Sequence, residues 1–309
     1  MPSFSTAVVT AVTAERAGLQ RVDLEGGRRA YVLTQLIGPV AVGDRVVANT
    51  TAVDLGLGTG GWDVVHWNLS RAEWSAPGGG HVMKLRYTSL QVDTGVADGD
   101  RTDLGGTPVV ACDLHSQLAP VAAAFAHSAP GRRLTYVMTD SAALPLALSD
   151  LVAELVEQGL LLETITSGHA FGGQREAVNV ASALLLASGD AVVVAPGPGV
   201  VGTGSRFGYS GLEVAAVVDA TVKLGGRAIV AVRYSGADGR PRHQGRSHHT
   251  TTALEMASQP ALAPEPEDGW SPAPLGFDVT TMGRGPDEDP EFFRYAAAAG
   301  RAAAQLLSN

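Results

Sequence analysis

The chain is almost without cysteine and lysine, and it has no long apolar run. Cys112 is the single cysteine in 309 residues, so no intrachain disulfide can form and a reducing compartment is expected. Lys84 and Lys223 are the only lysines; the other basic residues are arginines, which points to a GC-rich coding bias. No run of about 18 apolar residues occurs, so no transmembrane helix and no membrane partner are expected. The opening MPSFSTAVVTAVTAERAG lacks the basic start and apolar core of a signal peptide, and a cytoplasmic location is expected. The net charge is −9 and no basic cluster stands out, which argues against a nucleic-acid partner.

Familiar catalytic signatures are missing as well. There is no HExxH, CxxC or HxH. The nearest imitation of a nucleophile elbow, GYSG around Ser210, fails the G-x-S-x-G spacing. Cys112 lies inside an apolar strand run and reads as an inert buried thiol.

What is present is an ordinary globular composition, 45% apolar and 17% charged, in a length that suits two domains or one large one. Residues 1–100 carry short β-branched runs broken by Gly and Asp turns, among them STAVVTAVTAE, LQRVDLEGG, RRAYVLTQL, GDRVVANTTAV, WDVVHWNLS and HVMKLRYTSLQV. That is the pattern of a small antiparallel barrel or sandwich. Residues 93–107 are polar and glycine-rich and read as a loop or linker. Across 108–309 strand patterns alternate with helix patterns: PVVACD opens the series as a strand, QREAVNVASALLLASG reads as a helix, RAIVAVRYS as a strand, and the last pair is the strand GFDVTTMG and the helical DPEFFRYAAAAGRAAAQLL. The expected fold class is therefore α/β: a barrel-like first domain, then a doubly wound, mainly parallel Rossmann-like sheet with helices on both faces.

In such a sheet, ligands bind outside the carboxyl ends of the strands. The residues that follow each strand are polar there: Asp113, His115 and Ser116; Asp140 and Ser141; His169; Arg206; Tyr234; Thr281 and Arg284. The opposite connections, such as SAPGRR and ASGDA, are plain. Polar βα loops are common in any case, and that explanation stays open.

The stretch GPGVVGTGSRFGYSG, residues 197–211, holds six glycines in fifteen residues. Gly197, Gly199 and Gly202 match G-x-G-x-x-G, but helix periodicity starts only near Gly211 and Arg233 ends the next strand in place of an acidic residue. A dinucleotide is thus not expected. Gly199 to Ser205 imitates a P-loop without its lysine. Glycine permits close backbone approach, and successive N–H groups can cradle an anion. Gly197, Gly199, Gly202, Thr203, Gly204, Ser205 and Arg206 are the candidate anion-binding set, joined by Gly172 and Gly173 of SGHAFGGQREAVN. A structural wide loop is the competing reading.

Asp113, His115, His169 and His249 are the candidate catalytic residues, since a histidine at a strand end can serve as base or ligand. His248 and His249 adjoin a helix start, with Ser247 as the expected N-cap. Both can face one ligand only from the loop or first turn, because neighbours on a helix point about 100° apart. A divalent metal is one option, with Asp113, His115 or His169 completing the ligands; the metal residues stay unassigned. In the first domain, Thr50, Thr51, Asp54, Thr59, His81, Lys84 and Arg86 are either a face that supplies cations to the site or ordinary turns and solvated strands.

Five segments together, NTTAVDLGLGTGG, HVMKLRYTSLQ, SGHAFGGQREAVN, GPGVVGTGSRFGYSG and SHHTTTAL, resemble the bacterial domain-of-unknown-function 3866 family. The resemblance spans nearly the whole chain and implies a cytoplasmic bacterial protein of this length, without implying an activity. Gln174 stands where it leads one to expect an acidic residue. The expected function is an enzyme acting on a small anionic, even phosphorylated, metabolite, by transfer or hydrolysis at phosphorus or an acyl carbon. A non-catalytic binding or regulatory protein using the same pocket is the alternative. A homo-oligomer is expected.

Overall fold

The β-branched runs at the start of the chain close on themselves. Strands β1 (Phe4–Arg16), β2 (Leu19–Leu24), β3 (Arg28–Leu33), β4 (Arg45–Asn49) and β5 (Trp62–Asn68) form a closed barrel in the order β1-β2-β3-β5-β4. The pairs are antiparallel as expected except β3 with β5, which run parallel because β4 lies between them in sequence and on the far side of β5 in the barrel. Strand β1 carries two register shifts against β2, and such irregularities bend a long strand enough to share both barrel neighbours. Val9, Val22, Leu24, Ala30, Val32, Val46, Ala48 and Val65 fill the interior. Helices α1 (Thr34–Ile37) and α2 (Thr51–Asp54) are single turns in the connections.

This computed structural model describes the chain except Thr59, Pro77, His81, Val96, Asp98, residues 268–277 and Asn309, so the candidates Thr59 and His81 lie outside the described residues. The chain divides into two compact units, Met1–Gly95 and Val96–Asn309. HVMKLRYTSLQV does not make the single strand expected of it. Only β6 (Met83–Lys84) and β7 (Val92–Asp93) pair, because Leu85 and Tyr87 take positive φ angles of 51° and 59° and turn the chain.

The second unit holds a six-stranded sheet in the order β11-β10-β9-β12-β8-β13, with every pairing parallel. Its strands are β8 (Pro108–Ala111), β9 (Leu134–Thr139), β10 (Glu163–Thr166), β11 (Arg175–Glu176), β12 (Ala191–Pro196) and β13 (Arg227–Val230). Every residue of β8, β9 and β12 is buried, as expected when helices cover both faces. Helices α3 (Leu118–Ser128), α4 (Asp150–Glu157) and α8 (Pro290–Leu306) share one core with residues such as Phe125, Leu155 and Phe292. Helices α5 (Val180–Leu186), α6 (Val214–Lys223) and α7 (His248–Met256) share the other, with Leu184, Val218 and Ala253.

Three local expectations are corrected. The helix expected from Gln174 onward begins only at Val180, capped by Asn179, whose side chain accepts from Ser182 N–H; Arg175 and Glu176 instead add the edge strand β11. The run RAIVAVRYS leaves the sheet after Val230, and β14 (Tyr234–Ser235) pairs antiparallel with β15 (Gly245–Arg246). Of GFDVTTMG, Gly276 and Phe277 lie outside the described residues and Asp278–Thr280 form no strand. Within 93–107, read as a loop or linker, Leu104 is fully buried and its N–H donates to Leu224 O.

Strand order positions the site. Strand β12 lies between β9 and β8, yet its helix α6 packs on the opposite face from α3 and α4. The connections therefore diverge on either side of β12, which is the switch point where open α/β sheets form a crevice.

Candidate functional site

Strand β8 ends at Ala111, and Asp113 follows at the crevice. Gln117 anchors the chain there: its Oε1 accepts from Asp113 N–H (3.0 Å) and Leu114 N–H (3.1 Å), and its Nε2 donates to Ala231 O (2.9 Å). Asp113 is 3% exposed, and neither carboxylate oxygen accepts a hydrogen bond from the described residues. Buried polar groups are nearly always paired, so this carboxylate is an exception that calls for a cause. Its Oδ2 lies 3.7 Å from His249 Nδ1.

His249 is fixed from several sides. Ser247 caps α7, its hydroxyl accepting from His249 N–H (3.2 Å). The Tyr209 ring stacks on the imidazole with centroids 3.7 Å apart and planes 3° from parallel, and its hydroxyl donates to His249 O (2.8 Å). Burial, with the Asp113 charge adding to it, pushes the Tyr209 phenol up to about 12, so it stays a donor. Arg233 Nη1 stands 3.1 Å from His249 Nδ1. Burial pushes the Arg233 guanidinium below its ordinary value, and Asp113 and Asp238 pull against that.

The segment after β13 is held by two buried acids. Asp238 accepts a two-pronged contact from Arg240 (2.9 and 2.7 Å) and lies 3.8 Å from Arg233 and 3.7 Å from Arg284. The Arg240 hydrogen bonds hold its carboxyl well below the usual range. Asp289, fully buried, accepts from Ser235, Gly236 and Arg284. This frame sets His243 beside the start of α7. One ring nitrogen from each of His243, His248 and His249 falls within 4.8 Å of the others. Nδ1 of His243 meets Ser247 Oγ at 2.7 Å, and burial, helped by Arg233, pushes the ring down to about 3, so it is neutral near pH 7. Nε2 of His248 is buried with no hydrogen-bond partner among the described residues.

The other candidates are placed elsewhere. Nδ1 of His115 faces Pro196 O (2.9 Å) and its Nε2 faces Ser149 Oγ (2.7 Å); burial pushes it down to about 4. With a carbonyl at Nδ1, that nitrogen carries the proton and the serine hydroxyl donates to Nε2. His169 N–H donates to Asp140 Oδ2 (2.8 Å) beyond β10. Gly172 and Gly173 make the tight turn into β11, their N–H groups donating to Glu176 and Thr166. In the glycine loop, Thr203 N–H donates to Gly208 O, Thr203 and Ser205 hydroxyls meet each other, and Arg206 pairs with Glu255 on the surface. Residues 201–207 are all exposed. The close approaches that require glycine are made by the chain itself. A Cβ on Gly197 would fall 2.3 Å from Ala143 O, and one on Gly211 would fall 3.0 Å from Asp113 Cβ. Gly199 has a positive φ of 87°, whereas a Cβ on Gly204 would meet nothing nearer than Arg242 at 3.9 Å, and one on Gly202 would touch Tyr209.

Two further features share this edge. A cleft of about 370 Å³ is lined by His115, Ser116, Leu151, Gly199, Val200 and Thr280, among others. On the far side of β12, Glu213 accepts from Ser141 and Thr139, and burial raises its carboxyl above the ordinary value. The sequence reading passed over His243, Arg233 and Glu213 as site residues. Arg233, a charge directly after the apolar run AIVAV, was the visible signal; His243 had only its place in RPRHQGRSHHT.

A small closed barrel followed by a doubly wound parallel sheet defines a two-unit α/β protein, with titratable groups gathered at the switch point of the second unit. No curated protein matches the chain. Residues 29–270 match the family described as protein of unknown function (DUF3866), and the chain belongs to that family. No helix among the described residues is long and apolar enough to cross a membrane.

Proposed function

We propose that the chain is an enzyme acting on a small anionic metabolite at the carboxyl edge of its parallel sheet, by hydrolysis or group transfer. The chemistry is assigned to Asp113 and His249, with Arg233 as the buried positive charge beside them. The observation that carries this reading is the Asp113 carboxylate, 3% exposed and without a hydrogen-bond donor. A buried charge left without donors costs several kcal/mol in general, and such groups collect where a ligand or reacting group supplies the missing partner. An acid–base pair needs its two members within reach of one atom, and the 3.7 Å between Asp113 and His249 permits that. The stacked Tyr209 and the Arg233 contact hold the imidazole in one orientation. The glycine loop enters as packing for the site: Gly211 lies against Asp113, and Tyr209 closes the loop over His249.

The test is a thermal-shift screen of phosphate, phosphate esters and carboxylates, repeated in EDTA, followed by turnover assays on the compounds that stabilise the protein. At least one anionic compound is expected to raise the melting temperature of the wild type. The Asp113→Asn variant keeps the shape, loses no hydrogen bond, and is expected to stay within about 1 kcal/mol of wild-type stability. It is also expected to turn the bound compound over at least 100-fold more slowly. A compound that binds without being turned over assigns the non-catalytic binding reading instead. No response to any anion overturns both.

A further inference from the structure

We infer that His243, His248 and His249 form a binding site for one divalent transition-metal ion, zinc by its donor set. This rests on the same site as the proposed function and changes one role in it, since with an ion bound His249 is a ligand and no longer an acid or base; its supporting observations are separate. The three residues come from two elements: His243 from the turn before β15, and His248 and His249 from the first turn of α7, the position from which neighbouring residues can converge on one atom. Their three candidate ligand atoms lie within 4.8 Å of one another. A tetrahedral ion with bonds of about 2.0–2.1 Å places its nitrogens about 3.3 Å apart, so small side-chain rotations close the set. Three imidazoles with an open fourth position is a ligand set that zinc uses when it is catalytic.

The surrounding groups point the same way. His243 Nδ1 faces Ser247 Oγ at 2.7 Å, which commits that nitrogen and leaves Nε2 as the ligand atom. Nε2 is approached by Arg242 Nε at 3.3 Å, but Arg242 is exposed and its arm can swing away. His248 Nε2 is buried and unpartnered, and so is the nearby Asp113 carboxylate. His249 Nδ1 stands between Arg233, a donor at 3.1 Å, and Asp113 Oδ2, an acceptor at 3.7 Å. If Arg233 donates, the proton sits on Nε2. If Asp113 accepts, the proton sits on Nδ1 and the Nε2 lone pair is free for an ion. A bound cation selects the second tautomer and gives Asp113 its missing donor, the carboxylate–histidine–metal arrangement, and Arg233, a donor only, then turns away from Nδ1.

The experiment uses the full-length protein, with zinc and cobalt(II) as the probes and no substrate. After EDTA treatment and desalting, isothermal titration is expected to show one zinc per chain. Cobalt is expected to give the absorption bands of a tetrahedral nitrogen-ligated ion, and zinc at 100 times its Kd to raise the melting temperature by about 5 °C or more. His248→Ala, which removes no side-chain hydrogen bond among the described residues, is expected to weaken zinc at least 10-fold. His243→Asn should do the same with the polar contact to Ser247 kept. His127→Ala, on the exposed end of α3, should bind as the wild type does. Wild-type protein that takes up no zinc or cobalt overturns the inference, as does undiminished binding in both ligand variants. The two readings fail separately. An anion response that persists in EDTA while no metal binds removes the metal site alone. Zinc binding without any anion response removes the proposed function alone.

Discussion

Gly211→Ala tests whether the glycine loop serves the site by packing, because its effect can be worked out from the structure. Gly211 does not take a positive φ, so alanine suits the backbone there and by itself would stabilise by about 0.4–1 kcal/mol through the unfolded chain. The added Cβ falls 3.0 Å from both Asp113 Cβ and Asp113 O, and 3.5 Å from Asp113 Cα. Ordinary carbon contacts lie near 3.5–4.0 Å, so the loop and the end of β8 must separate by about 0.5–1 Å. Neither side can rotate away, since the atoms met are backbone and Cβ, and the Asp113 amide is tied to Gln117. Overpacking of this kind costs about 1–3 kcal/mol, for a net loss of about 0–2.5 kcal/mol. At about 2–4 °C per kcal/mol for a unit of this size, the melting temperature should fall by no more than about 10 °C. The functional loss should be far larger, because a misplacement near 1 Å can cost about 100-fold in rate. Gly204→Ala is the comparison. Its Cβ meets nothing closer than 3.9 Å and its φ is not positive, so it should be neutral or slightly stabilising and should leave ligand response intact. Melting curves and the anion thermal-shift assay read both variants. Equal ligand response in Gly211→Ala and wild type, or loss of response in Gly204→Ala, would refute the packing role and return the anion contact to the exposed loop.

Two other outcomes are expected. His115 has its folded-state value pushed down to about 4 from an ordinary 6.5, so the unfolded chain binds the extra proton first as pH falls. Its contribution is fully present above pH 6.5 and is lost progressively down to about pH 4, by up to about 3 kcal/mol; urea melts at pH 7 and pH 5 should show the decline, and His115→Asn should flatten it. Arg206→Ala should change stability by less than about 0.5 kcal/mol and leave anion response untouched, because its pairing with Glu255 is exposed on both sides; loss of response in the thermal-shift assay would show that the loop arginine holds the ligand.

The chain's architecture is written in local periods. Short β-branched runs with Gly and Asp turns forecast the barrel, and the alternation from Pro108 onward forecast a parallel sheet clad on both faces, because burial on one or two sides repeats every two or 3.6 residues within each element. The same logic placed Asp113 after β8, Asp140 after β9 and His169 after β10 by chain order alone, whereas Thr281 and Arg284 follow a run that forms no strand. Where a local signal was ambiguous the reading failed, as at Arg175 and Glu176, two charged residues that pair with β10 instead of opening a helix.

Which of those polar residues meet was decided by tertiary structure. Strand β12 inserts between β8 and β9, an order that no local pattern encodes, and it brings Tyr209 onto His249 and Gly211 onto Asp113. His115, two residues beyond Asp113, turns instead to Pro196 and Ser149. Arg233 and His243 became site neighbours only because Asp238 and Asp289 fold the segment after β13 back over the sheet edge. A glycine in a sequence leaves open whether a Cβ would be tolerated, and only the folded chain shows what that Cβ would strike. At Gly197 and Gly211 it is the protein's own backbone and Asp113. Periodicity is a property of neighbours along the chain, whereas a site is made by residues far apart in sequence, and their meeting depends on strand order and packing.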